Sequence, residues 1–261
     1  MDFFADPIGL LLVAGGAFLA GAMNALAGGG TFFSFPALLA AGVPPVTANA
    51  SNTVALWPAS LSSAWVYRRE LAKHREWVIA LTIVAAIGGI AGGLLLLAIS
   101  NKAFTQLIPW LLLVATALFA FSKQISGLVV KTKARLGIHQ TDDQPHSKGG
   151  LFFQFLVTVY GGFFGAGQGI LTLAALAIQG IENVQELNAL KNWISAVTYT
   201  VSALTFIIAG AINWPYTLLM VMTATLGGMV GAHIARYLPA LWLKRLVISV
   251  GSAMTIIYFL K

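Results

Sequence analysis

Five long apolar runs dominate this chain and constrain its fold more than any other feature. Each run has about 20 residues, the length that an α-helix needs to cross the hydrocarbon core of a bilayer. Of the 261 residues, 58% are hydrophobic and only 9% are charged, whereas a soluble protein carries roughly 25% charged residues. The sequence therefore predicts an all-α polytopic membrane protein. The runs are Trp77–Ile99, Ala103–Phe121, Asn188–Gly210, Pro215–His233 and Ala240–Leu260.

Three consecutive glycines, Gly28, Gly29 and Gly30, interrupt the apolar segment that precedes these runs. They disfavour a continuous helix, since each glycine costs about 1 kcal/mol relative to alanine. The surrounding residues are too apolar for a solvent loop. Non-helical backbone at membrane depth must be buried in protein or line an aqueous cavity. We therefore expect a broken helical hairpin here and a second one at the glycine-rich segment Tyr160–Gly169.

Basic residues cluster between the apolar runs. Twelve of the 15 Lys and Arg residues lie in Tyr67–Glu76, in Ser122–Gly150 and around Arg236–Arg245. Basic loops stay in the cytoplasm, so this distribution sets the topology and argues against nucleic acid as the reason for the net charge of +7. The long polar segment predicts a flexible connector. The predicted units are a first membrane repeat (1–122), a cytoplasmic basic connector (123–150) and a second membrane repeat (151–261).

The two halves resemble each other at an offset of about 140 residues. The predicted topology gives them opposite orientations, so we expect two inverted repeats, each a broken hairpin plus about three transmembrane helices. Both termini lie outside if each hairpin returns to its own side, and the N-terminus lies inside if Ile8–Ala27 crosses completely. Because the first residues lack the basic start of a signal peptide, the first helix is expected to be retained. The paired landmarks are Gly21 with Gly161, Asn52 with Asn192, and Gly88–Gly92 with Gly227–Gly231.

Each break offers free backbone N–H groups at the start of the helix that follows. Helix N-termini attract anions, because their N–H groups and the helix dipole both favour negative charge. The alternative is close helix packing through small residues. Repetition of the break in both halves favours a site. The candidate N–H groups belong to Gly29, Gly30 and Thr31 in the first half and to Gly167, Gln168 and Gly169 in the second.

Polar residues also mark the helix after each hairpin, at spacings of three and four that share one helix face. Some are expected to be N-caps, namely Thr47 or Asn49 in the first half and Asn188 in the second. Deeper residues at matched positions suit a ligand between the halves, and interhelical hydrogen bonds are the alternative. The sets are Asn49, Asn52 and Thr53, and Asn188, Lys191 and Asn192.

Lys191 is the most informative charge, because a lysine at bilayer depth costs on the order of 2.5–3.5 kcal/mol. It could supply positive charge to an anion that enters from the cytoplasm. Two alternatives remain: its side chain snorkels to the cytoplasmic surface, or it pairs with Glu182 or Glu186.

Several residue types that other functions need are missing. The chain has no cysteine, and its four histidines are scattered without ligand spacing. No Asp or Glu lies inside an apolar run, so neither a carboxylate proton relay nor an acidic sodium site is visible. We therefore expect no catalytic residues, metal or cofactor, and no enzyme activity. An anion that leaves a negative cell interior needs no coupling ion, which favours export.

The runs NALAGGGTFFSFPALLAAGVPPVTANASNTVALWP, YGGFFGAGQGI and ELNALKNWISAV resemble the TauE/SafE sulfite-exporter family over nearly the whole chain. The resemblance implies a multi-pass carrier of the bacterial inner membrane for sulfite, sulfoacetate or other organosulfonates. An uptake permease and an anion channel are the alternatives. The expected partners are a small anion and the lipid bilayer, and homo-oligomer formation stays open. The candidate substrate-binding residues are Asn24, Gly28, Gly29, Gly30, Thr31, Asn49, Asn52, Thr53, Gly165, Gly167, Gln168, Asn188, Lys191 and Asn192.

Overall fold

The structure is a computed structural model that describes residues 7–26, 29–72, 75–121, 124, 148–179, 181, 183–234 and 240–260. Within these residues the chain forms eleven α-helices and no strand. The all-α prediction is confirmed. The helices are α1 (Pro7–Leu26), α2 (Thr31–Ala40), α3 (Pro45–Val66), α4 (Arg68–Leu71), α5 (Arg75–Ala98), α6 (Asn101–Ala120), α7 (Lys148–Phe163), α8 (Gln168–Ile178), α9 (Val184–Ile208), α10 (Trp214–Ile234) and α11 (Ala240–Leu260).

Every predicted apolar run is a helix, and the predicted ends agree with the structure within a few residues. The expected connector lies almost entirely outside the described residues. By length and composition, three helices among the described residues could cross a membrane, namely α1, α5 and α6. Exposed leucine and isoleucine side chains cover the outer face of α5, as lipid contact requires. The chain is an all-α polytopic membrane protein.

The predicted N-caps were wrong for both polar helices. Helix α3 begins at Pro45, and Asn49 lies fully buried inside it. Proline favours the first helical position because its missing N–H group would be unpaired there in any case. Helix α9 is capped by Asn183, whose side chain accepts hydrogen bonds from the N–H groups of Gln185 and Glu186. Asn188 is therefore an interior residue of α9.

At each predicted hairpin the structure has two helices separated by a short break. Helices α1 and α2 contact each other, and so do α7 and α8. Helix α1 has 20 residues and is therefore about 30 Å long, whereas α2 has only 10 residues. The membrane side of each hairpin stays a prediction.

The packing between the halves is reciprocal. Helix α10 packs on α1, and α5 packs on α7, so each hairpin contacts a helix from the other half. Helix α3 packs on α9, and α6 packs on α11. The contact of α1 with α10 thus corresponds to the contact of α7 with α5 when the two halves are exchanged. The other two contacts each join helices that occupy the same place in the order of their halves. The inverted orientation of the two halves remains a prediction.

Glycines make this reciprocal packing close enough for backbones to touch. A Cβ atom at Gly92 would overlap the carbonyl oxygen of Val159 on α7. A Cβ atom at Gly227 would likewise overlap the carbonyl oxygen of Phe18 on α1. Small residues allow such approach in membranes, where van der Waals packing drives helix association. The glycine repeats therefore hold the two hairpins against the opposite halves.

Candidate functional site

The first break joins α1 to α2 and is stabilised by its own side chains. Gly29 has a φ of 85°, a conformation that glycine adopts without steric cost. The N–H group of Gly30 donates to the Oδ1 atom of Asn24 at 2.9 Å. One of the predicted anion-binding N–H groups is therefore occupied. Gly28 lies outside the described residues.

Asn52 of α3 closes this first break. Its Oδ1 atom accepts a hydrogen bond from the Ser34 hydroxyl, and its Nδ2 group donates to Thr31 Oγ1 at 3.4 Å. All three side chains are buried. Both polar atoms of Asn52 thus have partners within the first half, which makes Asn52 a bracing residue in this conformation.

The second break joins α7 to α8 with the same kind of backbone. Gly165 and Gly167 have φ values of 81° and 78°. The Tyr160 hydroxyl donates to the carbonyl oxygen of Ala166 at 2.6 Å, and the Gln168 N–H group donates to the Gly165 carbonyl at 3.2 Å. Hydrogen bonds within the segment therefore fix the backbone of this break too.

The side chain of Gln168 differs from those of the first break. It is 1% exposed, and neither its Oε1 nor its Nε2 atom has a hydrogen-bond partner. The side chain lies directly against Gly161, where a Cβ atom would overlap it. A buried polar atom without a partner costs about 1–3 kcal/mol. Gln168 therefore sits at the first residue of α8 with an unmet capacity for hydrogen bonds.

More unpartnered polar groups lie on helices that contact α8. Thr172 follows Gln168 by one turn and shares its face, and its buried hydroxyl has no partner. The same is true of both side-chain polar atoms of Gln154 on α7 and of the Thr198 hydroxyl on α9. Helices α7, α8 and α9 all contact one another. The second half therefore contains a group of buried donors and acceptors that a polar ligand or water would satisfy.

Lys191 lies beside the start of α8. Its Cδ atom is 3.7 Å from the position that a Cβ atom on Gly169 would occupy. The lysine is half-buried, and no ion pair or hydrogen bond of its ammonium group occurs among the described residues. The other basic side chains that the structure describes are all exposed: Arg68, Arg69, Arg75, Lys102 and Arg245. Positive charge thus stands next to the N-terminus of α8, as an anion site needs.

The two breaks lie close together on α6. The Cβ position of Gly29 is 2.7 Å from the Phe119 ring, and that of Gly167 is 3.5 Å from the Cα atom of Ala115. Ala115 and Phe119 are one helical turn apart. The structure therefore brings the breaks of the two halves side by side.

Two side chains connect the halves at the breaks. Asn49 of α3 donates through Nδ2 to the carbonyl oxygen of Phe163 at 2.8 Å, while its buried Oδ1 atom has no partner. The Tyr199 hydroxyl of α9 is 3.4 Å from the Cβ position of Gly165, and its side chain lies close to that of Thr31. Each central helix thus reaches the break of the other half.

The side chains of the remaining predicted polar residues make no hydrogen bond to another helix among the described residues. The Thr53 hydroxyl donates to the Asn49 carbonyl of its own helix at 3.0 Å. Asn188 and Asn192 are half-buried on α9, and no hydrogen bond of their side chains occurs within the described ranges. Sequence reasoning missed Ser34, Gln154, Thr172, Thr198 and Tyr199. The sequence did contain a signal for Thr172: it follows Gln168 by four residues, a spacing that places both side chains on one helix face.

A family model described as sulfite exporter TauE/SafE matches residues 13–258. The chain belongs to the TauE/SafE sulfite exporter family. The resemblance seen in the sequence is confirmed, and membership of this family makes the chain a membrane transporter. The match spans both breaks, the two polar helices and the reciprocal glycine contacts.

Curated bacterial relatives cover the chain almost end to end. A probable membrane transporter protein of Haemophilus influenzae is 26% identical over 98% of this chain and 95% of its own length. The probable membrane transporter protein YfcA of Escherichia coli K12 is 26% identical over 97% of this chain and 90% of its own. A similar protein, ORF9 of a Sinorhizobium species, is also 26% identical. No solved structure matches. These TauE/SafE relatives and the apolar helices agree with a multi-pass protein of the inner membrane.

Proposed function

We propose that this chain exports small sulfur-containing anions, namely sulfite, sulfoacetate or other organosulfonates, across the cytoplasmic membrane by alternating access. Family membership supports membrane transport. The anion specificity rests on one observation: a buried, unpartnered Gln168 at the start of α8 with Lys191 beside it. The family also points to a transporter rather than an enzyme.

The chemistry of these groups suits a sulfonate or sulfite. Such an anion presents three oxygen atoms, and each accepts hydrogen bonds. The Lys191 ammonium group, the Gln168 Nε2 group and the Thr172 hydroxyl are all donors. Hydrogen bonds to a charged group contribute about 1.5–3 kcal/mol, more than neutral ones do. Binding of the anion would therefore remove the cost of leaving these donors buried without partners.

Alternating access needs two packed units that move relative to each other around the site. Secondary transporters achieve this with inverted repeats and discontinuous helices. Reciprocal packing of the hairpins, α1 on α10 and α7 on α5, supports such a division. The Tyr199–Thr31 and Asn49–Phe163 contacts cross between the halves and would be exchanged during the cycle.

Export follows from the membrane potential. An anion that leaves a cell with a negative interior gains about 2.3 kcal/mol per charge for each 100 mV. In α1, α3 and α5–α11, no Asp or Glu in the described central turns offers a coupling site. Outward transport of an anion therefore needs no second ion.

Counterflow in proteoliposomes tests this function. Purified protein is reconstituted into liposomes loaded with unlabelled sulfite or methanesulfonate, and entry of the labelled anion is followed. We expect saturable exchange that sulfonates inhibit and that Lys191→Gln strongly lowers. Current steps without counterflow would instead indicate a channel. Accumulation that depends on a proton or sodium gradient would indicate uptake. Exchange of none of these anions by well-folded protein would contradict the proposed substrate class.

A further inference from the structure

An apolar cavity lies away from the breaks, between α3, α4 and α9. Its volume is about 410 Å³, which is room for roughly fourteen water-sized groups. Its walls are nearly all apolar, and among the residues that the structure describes Arg68 is the one charged residue that lines it. Apolar walls disfavour a bare inorganic anion as the occupant, because such an ion needs several hydrogen bonds when it leaves water. The lining residues are Leu61, Ala64, Trp65, Arg68, Leu71, Trp193, Ala196, Val197, Thr200 and Val201.

The mouth of this cavity carries a fixed positive charge. The Arg68 guanidinium lies 4.9 Å from the centre of the Trp65 ring, a cation–π distance. Its Nη1 atom also donates to the Trp65 carbonyl oxygen at 3.1 Å. Both interactions hold the guanidinium beside the cavity, and its other N–H groups make no hydrogen bond to any residue that the structure describes. The Arg68 and Trp65 side chains are exposed, as expected at a membrane interface.

The position of the cavity matches the predicted cytoplasmic surface. Arg68 belongs to the basic segment that also contains Arg69 and Arg75. The cytoplasmic leaflet carries anionic lipids, and basic pockets between transmembrane helices on that side bind their headgroups. An arginine binds phosphate well, because its planar guanidinium donates two parallel hydrogen bonds.

We propose that this cavity binds an anionic phospholipid, with the phosphate on Arg68 and one acyl chain along the apolar wall between α3 and α9. The volume matches one chain, and the charge at the mouth matches the headgroup. At its base, Trp57 Nε1 donates to Thr200 Oγ1 at 2.8 Å and fastens α3 to α9. The lipid therefore lies between α3, which carries Asn52, and α9, which carries Lys191.

Lipid-dependent stability and native mass spectrometry test the proposal. The full chain is placed in nanodiscs of phosphatidylcholine, with or without phosphatidylglycerol, and its unfolding temperature is measured. We expect phosphatidylglycerol to raise this temperature by roughly 5 °C and to remain bound in the mass spectrum. Arg68→Gln should lose both effects. Arg69→Gln removes the same charge from an exposed neighbour outside the cavity and should keep both.

Further variants separate the parts of the site. Arg68→Lys should keep part of the preference for phosphatidylglycerol, because it keeps the charge. Leu61→Trp fills the cavity from its exposed wall and should weaken lipid binding. Equal stabilisation by inorganic phosphate would show a site for free anions and would overturn the lipid assignment. Equal losses in Arg68→Gln and Arg69→Gln would also overturn it, since the effect would then come from the charge of the whole segment.

Discussion

The two breaks share a backbone conformation but differ in how their polar groups are satisfied. Gly29 and Gly165 both have positive φ angles, and both follow the first helix of a hairpin. In the first break, Asn52 has partners for both side-chain polar atoms. In the second break, Gln168 has partners for neither, although it is just as deeply buried. From the glycine pattern alone, we would have expected the two breaks to have the same role.

This difference leads us to propose different roles for the two breaks. Buried polar groups in proteins are nearly always hydrogen-bonded, so exceptions call for an explanation such as a ligand or water. The first break is braced against α3, whereas the second offers unpartnered donors next to Lys191. We therefore infer that the first break is mainly structural in this conformation and that the second binds the anion. Substitutions should accordingly affect stability in the first break and transport in the second.

The largest effect is expected at Lys191. Lys191→Ala should lower the transport of sulfite or methanesulfonate about 10- to 100-fold, because a hydrogen bond to a charged group contributes about 1.5–3 kcal/mol. Its unfolding temperature should not fall, since no described residue pairs with the ammonium group. Lys102→Ala removes an exposed charge elsewhere and should leave the flux unchanged. Wild-type flux in a folded Lys191→Ala protein would remove Lys191 from the site.

The glycines of the two breaks should differ in tolerance. Gly29→Ala should destabilise the protein by about 3 kcal/mol, the upper end for strained backbone, because the new Cβ atom would also meet the Phe119 ring at 2.7 Å. Gly165→Ala has similar backbone strain, but its closest contact is 3.3 Å, so it should cost about 1–2 kcal/mol. Thermal unfolding in detergent measures both. An equal or reversed order would contradict the packing of the first break on α6.

The next effect on stability is expected at Asn52, and Asn192 serves as its comparison. Asn52→Ala should lower stability by about 1–2 kcal/mol, because it removes the two hydrogen bonds that Asn52 makes to the buried Ser34 and Thr31 side chains. Asn192→Ala, at the position that the sequence pairs with Asn52, should change stability by less than about 0.5 kcal/mol, since its half-buried side chain has no described hydrogen bond. Unfolding temperatures of the two variants provide the test. Similar losses in both would mean that the two breaks are braced alike.

A modest effect on stability is expected at Gln168, and its sign is opposite to that expected for Asn52. Gln168→Met preserves much of the side-chain volume and removes two unpartnered polar atoms, so it should stabilise the protein by about 1 kcal/mol. The same change should lower anion flux, because it removes a donor. Gain of stability with loss of function is a known trade-off at binding sites. A destabilised variant with normal flux would show that Gln168 is a packing residue.

Much of the fold could be predicted because the membrane restricts the choices. Apolar runs must be helical, since backbone N–H and C=O groups have no other partners in lipid. The glycine breaks followed from the same restriction. Helix starts were harder: Pro45 begins α3 earlier than the polar cluster suggests, and Asn183 rather than Asn188 caps α9.

The site was predicted less completely, since sequence does not show which polar groups find partners. Asn52 and Gln168 look equally suited to bind a ligand, but only the packing of Ser34 and Thr31 against Asn52 separates them. Thr198 and Gln154 escaped notice because single Thr and Gln residues in apolar helices usually bond to their own helix or to a neighbour. Tyr199 becomes significant only when the two halves pack and bring Thr31 to it.

The most direct test is anion-induced thermal stabilisation of the purified protein and two variants. Sulfite or methanesulfonate should raise the unfolding temperature of the wild type and of Asn52→Ala, because both retain the groups of the second break. Lys191→Ala should show no rise. The account would be contradicted if Lys191→Ala were stabilised as strongly as the wild type while Asn52→Ala lost its response.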